Sequence, residues 1–132
     1  MRKPLAFILV LALAVPAAAK IPLRDNIQIN NQLLIVGIAN EIRKRCAGIS
    51  GRLVKGARIL HAIHRQAFDQ GYTKTEIETY VASAAEKARM KERGRAWLEK
   101  RGASPEKPDT MCRVGWEEIA KNSSIGVLLY EN

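Results

Sequence analysis

Apolar side chains along most of this chain recur every three or four residues, the period of an α-helix with one face against a core. Residues 26 to 46, NIQINNQLLIVGIANEIRKRC, contain LLIVGIA, the densest apolar run beyond the N-terminal region. Such a run also suits a buried strand, but Asn40, Glu41, Arg43 and Lys44 interleave with Ile42 without strict alternation. The pattern therefore predicts a helix covered on most of its faces, capped by Asp25 or Asn26. Gly37 in the middle either admits a neighbouring helix closely or weakens the segment. AGISG, Ala47 to Gly51, is the break.

A second helix is predicted from about Ser50 to Gln70, with Leu53, Ala57, Leu60, Ile63 and Ala67 as its core stripe. Arg52, Lys55, Arg58, Arg65 and Asp69 fall mostly on the other side. Gly71 ends it in a left-handed conformation, with Tyr72 folding back. Thr73-Lys-Thr-Glu76 then spells a capping box, and the helical pattern runs on to Arg101 before Gly102. The stripe Ile77, Tyr80, Val81, Ala84, Ala88 does not persist, because its next members, Lys91 and Arg95, are charged. Met90, Trp97 and Leu98 sit on a different face, so a bend or a change of packing partner is expected at Gly94.

SPEKPD, Ser104 to Asp109, reads as a linker. Asp109 or Thr110 is expected to cap a fourth helix, MCRVGWEEIAK, packing through Met111, Cys112, Trp116, Ile119 and Ala120. A last turn follows through Ile125, Val127, Leu128 and Leu129. The fold class expected is all-α: a small four-helix bundle with a short C-terminal turn.

The N-terminus has a different character. Arg2 and Lys3 precede the apolar run Leu5 to Val15, and alanines at positions 17 and 19 complete the pattern of a signal peptide over residues 1 to 19. Eleven apolar residues rise only about 16 Å as a helix, short of a hydrocarbon core of about 30 Å. Cleavage after Ala19 is expected, with an uncleaved anchor as the rival reading; it would leave residues 20 to 132 as a single helical domain without a transmembrane anchor, destined for the periplasm or secretion. It removes two of the 22 basic residues and none of the 13 acids, so the net charge falls from +9 to +7. In an oxidising compartment Cys46 and Cys112, the only cysteines, most simply pair with each other. An intermolecular bridge or a reactive thiol is the alternative.

Candidate chemistry is sparse. His61 and His64, at i, i+3, can share a metal, but no third or fourth donor accompanies them, and His64 falls on the second helix's apolar stripe as a core residue would. The serines lack a nucleophile elbow. Acid pairs such as Glu76 with Glu78 and Glu117 with Glu118 diverge on a helix, so spacing alone makes no acid–base pair of them. No cofactor is expected.

Charge remains. Seven basic residues and no acid lie between Arg43 and Arg65, and seven more lie between Glu86 and Arg101 beside three acids. Laid side by side these segments make a positive face, which attracts anionic partners in a salt-dependent way. The candidate partner-binding residues are Lys87, Arg89, Lys91, Arg93 and Arg95 opposite Arg52, Lys55 and Arg58, with Trp97 as an apolar anchor. Nucleic acid is not expected, since an exported protein rarely meets it and only Trp97 offers a stacking surface there. The basic helices also lack the wide apolar face of a membrane-inserting helix. An anionic protein or envelope surface fits better. The function expected is that of a non-catalytic binding or accessory protein. The alternatives are a cell-wall-associated enzyme or enzyme inhibitor with His64 in a pocket, and a peripheral subunit of a membrane complex docking through Leu128, Leu129 and Tyr130.

Together NEIRKRC, GYTKTEIETYV, AEKARMKERGRAWLEKRG and IAKNSSIGVLL resemble a family of small exported alphaproteobacterial proteins known only as a domain of unknown function. The resemblance covers about Asn40 to Leu129 and includes Cys46, Cys112, Glu86 to Met90, Gly94 and Gly102. It implies export, a helical fold and a disulfide, and it carries no activity. Intact-mass measurement of the exported chain is expected to find Lys20 as its first residue; a chain retaining residues 1 to 19 would overturn the leader.

Overall fold

The computed structural model of the chain describes residues 20–132, so the expected signal peptide lies outside the described residues. Five α-helices and one two-stranded sheet are present among them, where four helices were expected. Helix α1 (Ile27–Arg45) begins at Asn26, whose side chain accepts from the Ile29 amide at 3.1 Å. Helices α2 (Leu53–Asp69), α4 (Ala84–Glu99) and α5 (Pro108–Ala120) all pack on α1, and α3 (Lys74–Ala82) joins α2 to α4.

Three of these helices end in the same device. After α2, Gly71 adopts φ 90°, the Tyr72 amide reaches back to the Ala67 carbonyl and the Gly71 amide to the Phe68 carbonyl. Gly102 after α4 (φ 70°) and Asn122 after α5 (φ 51°) repeat the arrangement onto Leu98 and Glu118. Each left-handed residue satisfies carbonyls that the helix end leaves without partners.

The long third helix is in fact two. Ser83 leaves the helical region (φ −65°, ψ 118°), ending α3 and capping α4 by accepting from the Glu86 amide at 3.2 Å. The break falls there rather than at Gly94, which α4 passes through while lying against Ile38 and Leu34 of α1. Ser83-Ala-Ala-Glu86 carries the S-x-x-E spelling of a helix start, the signal that the longer periodicity masks. Helix α5 likewise starts earlier than expected, with Pro108 in its first turn and no side-chain cap from Asp109 or Thr110. Proline is suited there, because its missing N–H would have no helical partner anyway.

Strands β1 (Ile49–Gly51) and β2 (Leu129–Glu131) pair antiparallel, Ser50 opposite Tyr130. The expected start of α2 at Ser50 is thus a strand, and the C-terminal turn is a 3-10 turn (Gly126–Leu128) leading into the second strand.

Two apolar clusters share α1. The larger joins Ile38, Ala39, Ile42 and Cys46 to Leu98, to Met111 and Val114 of α5, and to Ile49, Ile125, Leu128 and Leu129. Gly115 permits the close contact of α5 with this end of α1, since a Cβ there would fall 2.7 Å from Ile42 and 2.4 Å from Ile49. The smaller cluster joins Leu23 and Ile29 to Ile63, Ala67, Tyr72 and Ile77. Cys46 and Cys112 form the expected bridge, with Cα atoms 5.0 Å apart, tying the end of α1 to the first turns of α5.

Replacing both cysteines by serine is expected to lower the unfolding free energy by about 4 kcal/mol, the chain entropy returned when a loop of 66 residues is reopened. Urea unfolding measures it, and a loss below about 1 kcal/mol would show that the bridge barely restrains the unfolded chain.

Candidate functional site

The core stripe expected on α2 is only half buried. Ile63 and Ala67 are covered, but Leu53 is 66% exposed and Leu60 44%. The reason lies in α1, whose apolar run is wider than its neighbours can cover. Between α1 and α2 runs a groove of about 490 Å³, lined by Leu33, Val36, Leu53, Ala57 and Leu60 and by Arg43 and Arg52. Between α1 and α4 runs a second, of about 680 Å³, over Leu34, Ile38, Met90 and Leu98. Gly37 and Asn40 line both, so the two grooves form one trough with α1 as its floor. No neighbouring helix packs closely on Gly37, for a Cβ built there meets no atom of the described residues within 4 Å.

Cations ring the α1–α4 side: Lys87, Lys91 and Arg95 on α4 face Lys44 and Arg45 on α1. Lys44 and Arg45 approach Glu41 at 4.0 and 3.8 Å. Arg95 pairs with Glu106 at 2.9 Å, an exposed pair of modest worth. The Ser104 hydroxyl, its own backbone N–H and Arg95 together hold the Glu106 carboxyl down at about 2, so it is ionised throughout the neutral range. Lys87 and Lys91 form no ion pair among the described residues.

The remaining expected binding cations divide three ways. Arg52 lines the α1–α2 groove, donating to the Leu129 carbonyl at 3.3 Å and lying 5.4 Å from the Tyr130 ring centre. Lys55 and Arg58 are exposed but line neither groove. Arg89 and Arg93 reach across to α1. Arg93 donates to Asn31 at 2.9 Å, and Arg89 sits in a network that orders the start of α1.

That network centres on buried Asn30. Its amide donates to the carbonyls of Leu23 and Asn26, both at 2.7 Å, while its oxygen accepts from the Tyr80 hydroxyl and from Arg89 at 3.1 Å. Arg89 also donates to Glu86 at 2.7 Å, a bond that raises its own pKa, and Glu86 in turn lies 3.5 Å from Arg24. Burial pushes the Tyr80 phenol up, against the opposing pull of Arg89. No buried side-chain nitrogen or oxygen among the described residues lacks a partner. Arg89 is a clasp rather than a free binding cation.

Other expectations are corrected by burial. Trp97 packs against the larger cluster with the Arg101 guanidinium 3.5 Å over its ring, so the indole left 45% exposed is that of Trp116. His64 is exposed rather than in the core, edge-on to Phe68 at 4.8 Å, and it lines neither groove. Helix α2 turns its inner face through Ile59, Ile63 and Ala67, which leaves His64 on the outer flank. Leu128 and Leu129 are buried, so of the proposed docking trio only Tyr130 is exposed. Among the described residues no three of His, Cys, Asp and Glu gather to hold a metal, and no helix is long and apolar enough to cross a membrane. The trough itself escaped the sequence reading. Its signal was the surplus of apolar residues on α1 around a glycine.

A family model matches residues 21–130, and its description is a family of unknown function (DUF5333). Comparison with curated proteins found no match, and comparison with solved structures found none either.

Arg89→Ala is expected to destabilise the fold by about 1–3 kcal/mol, because it strips partners from the partly buried Tyr80 hydroxyl and the buried Asn30 oxygen. Lys87→Ala, at an exposed position, is expected to change stability by less than about 0.5 kcal/mol. Equal effects in denaturant unfolding would show that Arg89 is no clasp.

Proposed function

The chain belongs to this family of unknown function, and we propose from its geometry that it is an exported, non-catalytic binding or accessory protein whose site is the trough over α1. One observation carries the reading. An apolar trough with a glycine floor is bordered by cations, four of which, Arg43, Arg52, Lys87 and Lys91, have no ionic partner among the described residues. Glycine in a helix interior costs about 1 kcal/mol relative to alanine, and no atom of the described residues lies where the missing side chain would stand. Open space at a costly glycine suits a partner that approaches the backbone of α1 closely. The cationic border selects partners of negative charge, an anionic protein or envelope surface.

The placement outside the cytoplasm rests on two supports, the leader pattern of residues 1 to 19 and a disulfide of the kind that persists in oxidising compartments. Binding rather than catalysis is favoured because the trough gathers apolar and cationic side chains, with Glu41 and Glu106 held at its edge by their own cations.

The site is tested with 1-anilinonaphthalene-8-sulfonate, an apolar probe bearing one negative charge. Gly37→Leu fills the trough from its floor and, by removing a helix glycine, is expected to hold or raise stability by up to about 1 kcal/mol. Dye binding to the native protein is expected to weaken with salt and to fall about tenfold or more in Gly37→Leu, a change worth about 1.4 kcal/mol. Undiminished binding to a folded Gly37→Leu protein would remove the trough as the site.

A further inference from the structure

We propose that the occupant of the trough is an acidic amphipathic helix of a partner protein, seated on α1 with its carboxylates along Lys87, Lys91 and Arg95. The inference rests on the trough being the binding site and names what fills it. Lys87, Lys91 and Arg95 lie four residues apart on one lip of α4. Each step is about 6 Å, so the three cations form a line of about 12 Å instead of converging on one point. A single headgroup or phosphate would meet one or two of them. A helix laid alongside presents side chains at the same interval, so carboxylates at i, i+4 and i+8 meet all three.

Two further features point to a helix. Like charges at i, i+4 repel within α4, and no carboxylate of the described residues comes within 4.0 Å of Lys87 or Lys91 to pair with them. A row of carboxylates would offset that repulsion. The floor beneath the line is apolar, with Leu34 and Met90 half-buried and Gly37 bare, which matches the apolar face such a helix carries. Nucleic acid has a charge repeat of similar length but no apolar face for this floor. Seated there, a helix covers the side of α1 left open between α2 and α4, completing the burial that LLIVGIA calls for.

The test uses two displayed peptide libraries of about 18 residues, long enough for a helix of about 27 Å. One fixes glutamate at three positions four residues apart and randomises the apolar positions beside them; the other fixes lysine at the same three. Both are panned on the purified, disulfide-bonded protein, on Lys87→Glu/Lys91→Glu and on Gly37→Leu, each checked for an unchanged or higher melting temperature. Enrichment of the acidic library on the native protein, with selected peptides binding about tenfold or more weakly to both variants, supports the proposal. Three results overturn the helix: no acidic enrichment, acidic peptides indifferent to both variants, or tighter Lys87- and Lys91-dependent binding of phosphatidylglycerol vesicles or a single-stranded oligonucleotide. Where the naphthalene dye still depends on Gly37, only the occupant is lost and the trough stands. Where it does not, both readings fall together.

Discussion

A helix that is apolar around most of its circumference has to be covered from several directions, and that demand, made by α1, organises everything else in this domain. Helix α5 and the small sheet take one side, sealing Ile38, Ala39, Ile42 and Cys46 in the larger cluster. Helices α2 and α4 take the flanks, and the turn preceding α1 closes its start through Leu23. What they leave open is the strip at Gly37 and Asn40. The trough is therefore a consequence of geometry: one central helix has more apolar surface than its neighbours in the chain can reach. An exposed apolar strip of this kind, bordered by charge, is the usual form of a surface that meets a partner.

The two ends of α1 are secured by different physics. At its C-terminal end, packing is apolar and a covalent link spans 66 residues of chain, restricting the unfolded state as much as it joins the folded one. At its N-terminal end, two buried asparagines do the work. Asn26 donates to Gln70 at 2.6 Å and to Tyr72 at 3.1 Å, and Asn30 gathers the preceding turn, Tyr80 and Arg89. A buried polar network tolerates few alternative arrangements, because each unmade bond costs the desolvation of its group. Through Tyr80 and Arg89 it ties α3 and the rotation of α4 to the start of α1.

That rotation sorts the charges. Facing the network, Glu86, Arg89 and Arg93 serve the fold; around the helix from them, Lys87, Lys91 and Arg95 border the trough. Five of the segment's seven cations thus divide by helical phase between the fold and the border of the trough, and the division appears only when the partners on α1 are in place.

Local chemistry was legible in the sequence. The cap at Asp25 or Asn26, the Thr73–Glu76 capping box, the left-handed stop at Gly71 and the helix end at Gly102 depend on residues within a turn of each other, so short stretches suffice to specify them. The cysteine pair was legible too, since two cysteines in one chain admit one internal bridge. Long-range contact decided the rest. Strands β1 and β2 have three residues each and are partners across almost the whole domain, so neither has a period of its own to read. Which side of α2 is core, whether Arg89 is a clasp or a binding cation, and which tryptophan is exposed all follow from how helices rotate against α1. Periodicity marks an apolar face, but the neighbours a chain can bring to it determine how much of that face is finally buried.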